Sequence, residues 1–311
     1  MSRSIKITAV DSSGTARDFQ KGVKLVLKRE LYTPFVSLSG EFICDSAVTA
    51  AQICELKLYI SGEFIYHGIP DKVTVAKQGG LSRIVFSSRS YTSLTAQNEP
   101  EPGIMTDVTL SSLVRSSLDH PYIVVEENTP TENYIFIKNT STLWDAIIAY
   151  NLKQRSALPY IYARNTIMST RARAVTRDYT GERILSEGFG VNTMAMLSDL
   201  HMRIGDGEYD HSFTNPYAAN YKIIRSRYYD LDYQWLHNID RGLAFKAATS
   251  NRKRNFCFFE YPSFRNEQLF DRVTSSGTVC DGKLINSVVI TFDKHGARTR
   301  ITCYEDDLGQ V

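Results

Sequence analysis

The sequence has no Walker loop, no G-x-S-x-G elbow, no H-E-x-x-H pair and no kinase signature, so the catalytic patterns least prone to chance are missing. It also lacks long apolar runs. Stretches such as Ser287 to Phe292 fall far short of the ~20 residues that cross a bilayer as a helix. The start, MSRSIKITAV, carries one arginine and one lysine but no apolar signal-peptide core, which predicts a product made in the cytoplasm and not exported by the general route. Cys44, Cys54, Cys257, Cys280 and Cys303 are an odd set without a C-x-x-C pair. That argues against a disulfide framework and a zinc ribbon, and leaves buried thiols as the expectation. An excess of one charge is missing too: 36 Lys and Arg face 34 Asp and Glu, a net charge of +2. Nothing general draws the chain to nucleic acid, membranes or acidic substrates.

What is present is apolar alternation. With 311 residues and 42% hydrophobic content the chain can bury a real core and divides most naturally into two or three domains. Ile5, Ile7 and Ala9, then Val23, Leu25 and Leu27, then Phe35, Val36 and Leu38 read as strands. Leu56, Leu58 and Ile60, a Ser61-Gly62 turn, and Phe64 with Tyr66 before Gly68 read as a hairpin. Further strands are predicted near Asp71 to Val75 and Arg83 to Ser87. Residues 1–90 are thus expected to form an all-β barrel or sandwich.

The texture changes at Ser90. A short helix is predicted from Tyr91 to Gln97, broken by Glu99-Pro100-Glu101-Pro102-Gly103. Thr109 is placed to cap a helix over Leu110, Leu113, Val114 and Leu118. Ser141 is the expected cap of another helix, with a stripe of Leu143, Trp144, Ile147 and Ile148. Short strands near Tyr122 to Val125, Tyr134 to Ile137 and Tyr160 to Tyr162 complete a small α+β unit over 91–180. Beyond it, Tyr221 to Ser226 reads as extended, and Tyr233 to Thr249 as a helix. Asn286 to Phe292 and Arg298 to Tyr304, around Asp293-Lys294-His295-Gly296, form the strongest hairpin signal in the chain.

Candidate chemistry is thin. Ser250 and Lys253 fit S-x-x-K, but its companion motifs are missing. Gly188-Phe189-Gly190 begins like a dinucleotide loop, yet Thr193 stands where a third glycine or alanine belongs, so a pair of loop glycines is expected. Asp199, His201, Asp206, Glu208, Asp210 and His211 are dense enough to suggest a cation. They lack the turn glycine and the closing glutamate of a calcium loop, and read as a solvated acidic loop. Arg252-Lys253-Arg254 suits the C-terminal end of the preceding helix. The 18 tyrosines suit either barrel packing or an interface.

Cys54 to Gly68 (CELKLYISGEFIYHG), Leu81 to Asn98 (LSRIVFSSRSYTSLTAQN), the following PEPG and then TDVTLSSLVRSSL resemble the late-control-D type of baseplate hub protein, found in contractile phage tails and tailocins. The positions that carry the likeness are Gly68, Arg89, Ser90, Asn98, Pro100, Thr109 and Leu110. Asn139 to Tyr150 (NTSTLWDAIIAY), with Trp144 and Asp145, is similar to the family's helix that follows a threonine. The match covers about 54–163 well and the last 30 residues moderately. It implies an α+β, predominantly β chain with two tail-tube-like antiparallel β-barrel domains, over 1–90 and 181–311, and the small α+β domain between them.

By the same resemblance the chain is expected to be a non-catalytic homotrimer without cofactor or metal. Six barrels from three copies would meet the sixfold tail tube on one side and the threefold central spike on the other. The tape measure protein and baseplate wedge proteins are further expected partners, and the tail baseplate of a phage-like particle the expected location. Arg89 is expected to tie a strand end to carbonyls of the following turn. The competing readings are a tail-associated peptidoglycan hydrolase and a β-rich carbohydrate-binding adhesion module.

Overall fold

The structure is a computed structural model that describes residues 4–31, 33–44, 53–155, 157–171, 174–205, 207–231, 233–235 and 238–305. The chain begins with seven strands: β1 (Ile5–Asp11), β2 (Ala16–Phe19), β3 (Gly22–Glu30), β4 (Ser37–Cys44), β5 (Ile53–Ile60), β6 (Glu63–Gln78) and β7 (Leu81–Ser90). A 3-10 helix over Tyr91–Ala96 leads into β8 (Gly103–Val108), α1 (Leu110–Ser117), β9 (Val124–Val125), β10 (Glu132–Ile137), α2 (Leu143–Arg155), β11 (Tyr160–Tyr162), β12 (Thr166–Met168) and β13 (Thr176–Asp178). The rest comprises β14 (Ser186–Val191), β15 (Asp199–Met202), β16 (His211–Thr214), α3 (Pro216–Asn220), β17 (Ser226–Tyr229), a 3-10 turn at Tyr233–Trp235, α4 (Ile239–Ser250), β18 (Asn255–Tyr261), β19 (Arg272–Thr274), β20 (Ser287–Asp293) and β21 (Gly296–Tyr304). The protein is predominantly β.

Alternation becomes burial because successive strand side chains point to opposite faces. In β7, Ser82, Ile84, Phe86, Ser88 and Ser90 are buried while Leu81, Val85 and Ser87 are exposed. Eleven strands form one sheet in the order β14-β18-β21-β20-β3-β4-β7-β6-β5-β1-β2. Its seam is the antiparallel pairing of β20 with β3, where Ile290 opposes Leu27 and Phe292 opposes Leu25. Ile290, Leu27 and Leu25 are fully buried, each contributing ~1.5–3 kcal/mol. One core spans the molecule, with Leu58 and Phe86 from the first strands, Leu113 and Ile147 from the helices, and Val288 and Ile301 from the last hairpin.

Among the described residues the sheet is an open ladder with β14 and β2 at its edges; its hydrogen bonds do not close two separate barrels. Several local expectations also change. The two strands expected on either side of Gly68 are one 16-residue strand, β6. Pro70 is accommodated because the register slips between Pro70 and Lys72, a bulge where no ladder donor is required. Tyr221 closes the short helix α3, and the extended segment begins only at Ser226. Asn238 caps α4 by accepting from the Arg241 N–H at 3.0 Å, so the helix starts six residues later than Tyr233. Thr142, not Ser141, caps α2.

Candidate assembly surface

Arg89 and Ser90 end β7. Arg89 donates from Nε and Nη2 to the Asp71 carboxylate at 2.6–3.0 Å, and its guanidinium lies over the Phe35 ring. Its partner is therefore a carboxylate on the neighbouring strand, not the carbonyls of the following turn. Ser90 is fully buried; its N–H donates to the Val36 carbonyl at 2.9 Å and its Oγ accepts from the Val36 N–H at 3.0 Å. Asn98 donates from Nδ2 to the Leu94 carbonyl at 2.8 Å, and its own carbonyl accepts from the Leu143 N–H at 2.8 Å. Asn98 thereby fastens the end of the 3-10 helix to the first turn of α2.

In that first turn, Asp145 accepts from the Thr142 N–H at 2.9 Å, while the Asp145 N–H donates to Thr142 Oγ1 at 3.2 Å, a reciprocal cap. Trp144 next to it is buried in the core. Thr109 caps α1: its Oγ1 accepts from the Ser112 N–H at 3.1 Å, and Ser112 Oγ accepts from the Thr109 N–H at 2.9 Å. These six residues lie at a strand end, at helix ends and in the core, and do not converge on a reactive centre.

The edge strand β14 exposes apolar side chains to water. Its burial pattern leaves Phe189 84% and Val191 54% exposed, two positions apart and hence on one face. Met194 and Ile224 are also largely exposed. Gly188 and Gly190 lie in this strand, not in a loop. They stand opposite Phe258 and Phe256 in register, and a Cβ on Gly190 would lie 2.5 Å from the Phe256 ring, so aromatic rings cover the bare backbone. Sequence reading missed this edge because a pair of glycines resembles a loop. The phenylalanines that cover it lie nearly 70 residues away.

Titratable groups elsewhere are mostly locked in structural pairs. At the junction, the buried His67 donates from Nε2 to Glu55 at 2.6 Å, and Lys57 reaches the same carboxylate at 2.5 Å. His67 sits against the rings of Tyr91 and Tyr122 at 4.9 and 4.4 Å. Burial pushes the imidazole below its ordinary value despite the carboxylate. A second network surrounds Arg29, which donates to the Glu267 carbonyl at 2.7 Å and to Asn266 Oδ1 at 3.0 Å. Burial lowers this guanidinium to about 10 and raises the Glu267 carboxyl, which accepts from Tyr261. Arg177 meets the buried Asp271 at 2.7 Å.

The other chemical candidates dissolve in the same way. Ser250 Oγ donates to the Ala247 carbonyl at 2.7 Å, whereas Lys253 pairs with Glu30 at 3.1 Å. His201 stacks on Tyr228 and His211 pairs with Asp240; Asp206 lies outside the described residues. Among the described residues, the acids and imidazoles of that segment do not gather round a point where a cation would sit. A cleft of about 1220 Å³ is lined by Lys6, Tyr59, Phe292 and Asp293, and its described lining residues do not form a convergent reactive set.

No family model and no curated protein matches the sequence. The fold, however, matches solved structures along almost its whole length. A prophage MuSo2 43 kDa tail protein from Shewanella oneidensis is similar with a TM-score of 0.68 at 16% identity, covering 99% of both chains. The tail protein of Neisseria meningitidis MC58 is similar with a TM-score of 0.66 at 14% identity, covering 99% of this chain and 98% of that one. In the half-lidded Francisella PdpA-VgrG complex, a chain matches with a TM-score of 0.58 at 8% identity; this protein spans 58% of its length. The chain thus has the fold of phage and prophage tail proteins.

Proposed function

We propose that this protein is a non-catalytic structural component of a phage-type tail baseplate, the hub that joins the sixfold tail tube to the threefold central spike. In this reading three copies assemble, each contributing two tube-like bodies: residues 1–90, and residues 181–311 beyond the α+β insert of 91–180. Six such bodies present pseudo-sixfold symmetry to the tube ring while the trimer keeps threefold symmetry for the spike. The observation that carries the proposal is the end-to-end likeness of fold to tail proteins.

Among the described residues β2 and β14 end the sheet, and such edges supply a physical means of assembly. Unpaired backbone donors and acceptors on an edge are a hazard in an isolated molecule, and become the joint when a neighbour adds its own strand. Apolar side chains at Phe189 and Val191 would lose their water in that contact. The tape measure protein and baseplate wedge proteins are further partners in this reading.

Native mass measurement of the purified chain, alone and mixed with its tube protein, tests this. A trimer that captures a tube ring is the expected result. A monomer inert toward the tube, yet able to clear cell walls, would overturn it in favour of a hydrolase.

A further inference from the structure

Three cysteines spread over the last fifth of the chain meet inside it. Cys257 lies on β18 and opposes Cys303 on β21 in register. Cys280 comes from the loop between β19 and β20. All three are buried, and their sulfurs lie within 4.8 Å of one another, Cys280 and Cys257 at 3.0 Å. No disulfide joins them.

Cys280 is fully buried while its neighbour Val279 is 39% exposed, although valine is the more apolar of the two. The loop is held in that orientation: the Ser275 N–H donates to Asp281 at 2.7 Å, the Gly282 N–H to the Val273 carbonyl at 2.9 Å, and the Val279 N–H to Glu187 at 3.2 Å. A groove of about 580 Å³ leads to the cluster and is lined by Cys257, Cys303, Lys283, Asn255 and Asn286.

We propose that Cys257, Cys280 and Cys303 form a binding site for a divalent thiophilic cation, Zn2+ in the first place. Three sulfurs at ~2.3 Å from one zinc stand ~3.8–4.0 Å apart, so adjustments of less than about 1 Å convert the cluster into a ligand set. Three thiolates and one divalent ion leave a net charge of −1, which the Lys283 ammonium at the groove neutralises. Water would complete the coordination, as in zinc sites with three protein ligands. Binding breaks S–H bonds and forms metal–sulfur bonds, with the protons released to buffer. The site is independent of the hub reading; it would brace the C-terminal hairpin against β18 and the loop before it.

The test uses the full chain carrying Cys54→Ser, which removes the exposed thiol, reduced and freed of metal by a chelator. Titration with Cd2+ followed in the ultraviolet, with metal analysis after desalting, should give a cadmium–thiolate band saturating at one ion per chain. Zn2+ should displace it, protect three of the four remaining thiols from a thiol reagent and release protons. Cys280→Ala in the same background should abolish the band while circular dichroism still reports the fold. If that variant fails to fold, thiol protection in the parent decides the matter. A reduced, folded parent with no band and no protected thiols overturns the proposal. So does a band that survives Cys280→Ala, or a parent that can be isolated only with two of the three sulfurs in a disulfide.

Discussion

Arg29 and Arg89 show how differently one residue type acts in two surroundings. Arg29 is 1% exposed and sits among Glu267, Asp271 and Arg177, whereas the side chains of Arg89 and Asp71 are 28% and 37% exposed. Removing one member of a buried charge network leaves the others uncompensated, at a cost of ~3–5 kcal/mol. A solvated pair contributes about 1 kcal/mol or less. Arg29→Met should therefore lower the urea midpoint sharply and Arg89→Ala only slightly. Equal losses would show that the two arginines are not separated by burial.

His67 and Glu55 set a pH dependence at the same scale. The folded chain holds the imidazole below its usual 6.5, so the unfolded chain takes up that proton first. This contribution is complete above 6.5 and fades as the pH falls below it. Burial raises the Glu55 carboxyl, but hydrogen bonds from Lys57 and His67 outweigh it and hold the group below its usual 4.5. That stability is present above 4.5 and is lost as the pH falls through the folded value. Both effects weaken the protein on acidification. Urea midpoints should decline from about pH 7 to about pH 5, and His67→Gln should flatten that span; an unchanged slope in the variant would remove His67 as the cause.

At the scale of elements, edge strand β14 separates folding from assembly. Phe189 is largely exposed and Gly190 is covered by Phe256. Phe189→Lys should change the melting of the isolated chain very little, within about 0.5 kcal/mol, yet abolish capture of the tube protein in sedimentation experiments, because a charge on an edge blocks strand addition. Undiminished capture would move the assembly joint away from β14.

How much of these elements was legible depended on the range of the forces that form them. The Thr109 cap and the C-terminal hairpin were read correctly because their signals lie within a few residues. The cap of α2 was displaced by one residue, since Ser141 and Thr142 are both competent and the Thr142–Asp145 pairing decides between them. Gly188-Phe189-Gly190 was misread because the rings that cover it belong to β18. Arg89 ends β7, and its partner Asp71 is the unpaired residue of the bulge in β6, which the local pattern does not reveal.

For the whole molecule, the sheet joins the first and last parts of the chain. β3 pairs with β20, and one core runs through both halves and the helices between them. Unfolding should therefore be a single transition. Fluorescence from Trp144, within the shared core, and Trp235, against Phe245 at 5.0 Å, should coincide with far-ultraviolet circular dichroism in a denaturant series. Two separated transitions would show that the β3–β20 seam does not couple the halves.

By itself the sequence determined the first strands, the Thr109-capped helix and the C-terminal hairpin, because period-two alternation, caps and turn residues act over a few neighbours. It likewise determined that the common catalytic motifs are missing. Only the tertiary structure decided that β3 and β20 share a ladder, that Arg29 finds Asn266 and Glu267 more than 230 residues away, and that Cys257, Cys280 and Cys303 meet. Such contacts arise when distant segments close large loops against a common core. Which closures win depends on the summed packing of the whole chain and leaves no signature in any short window.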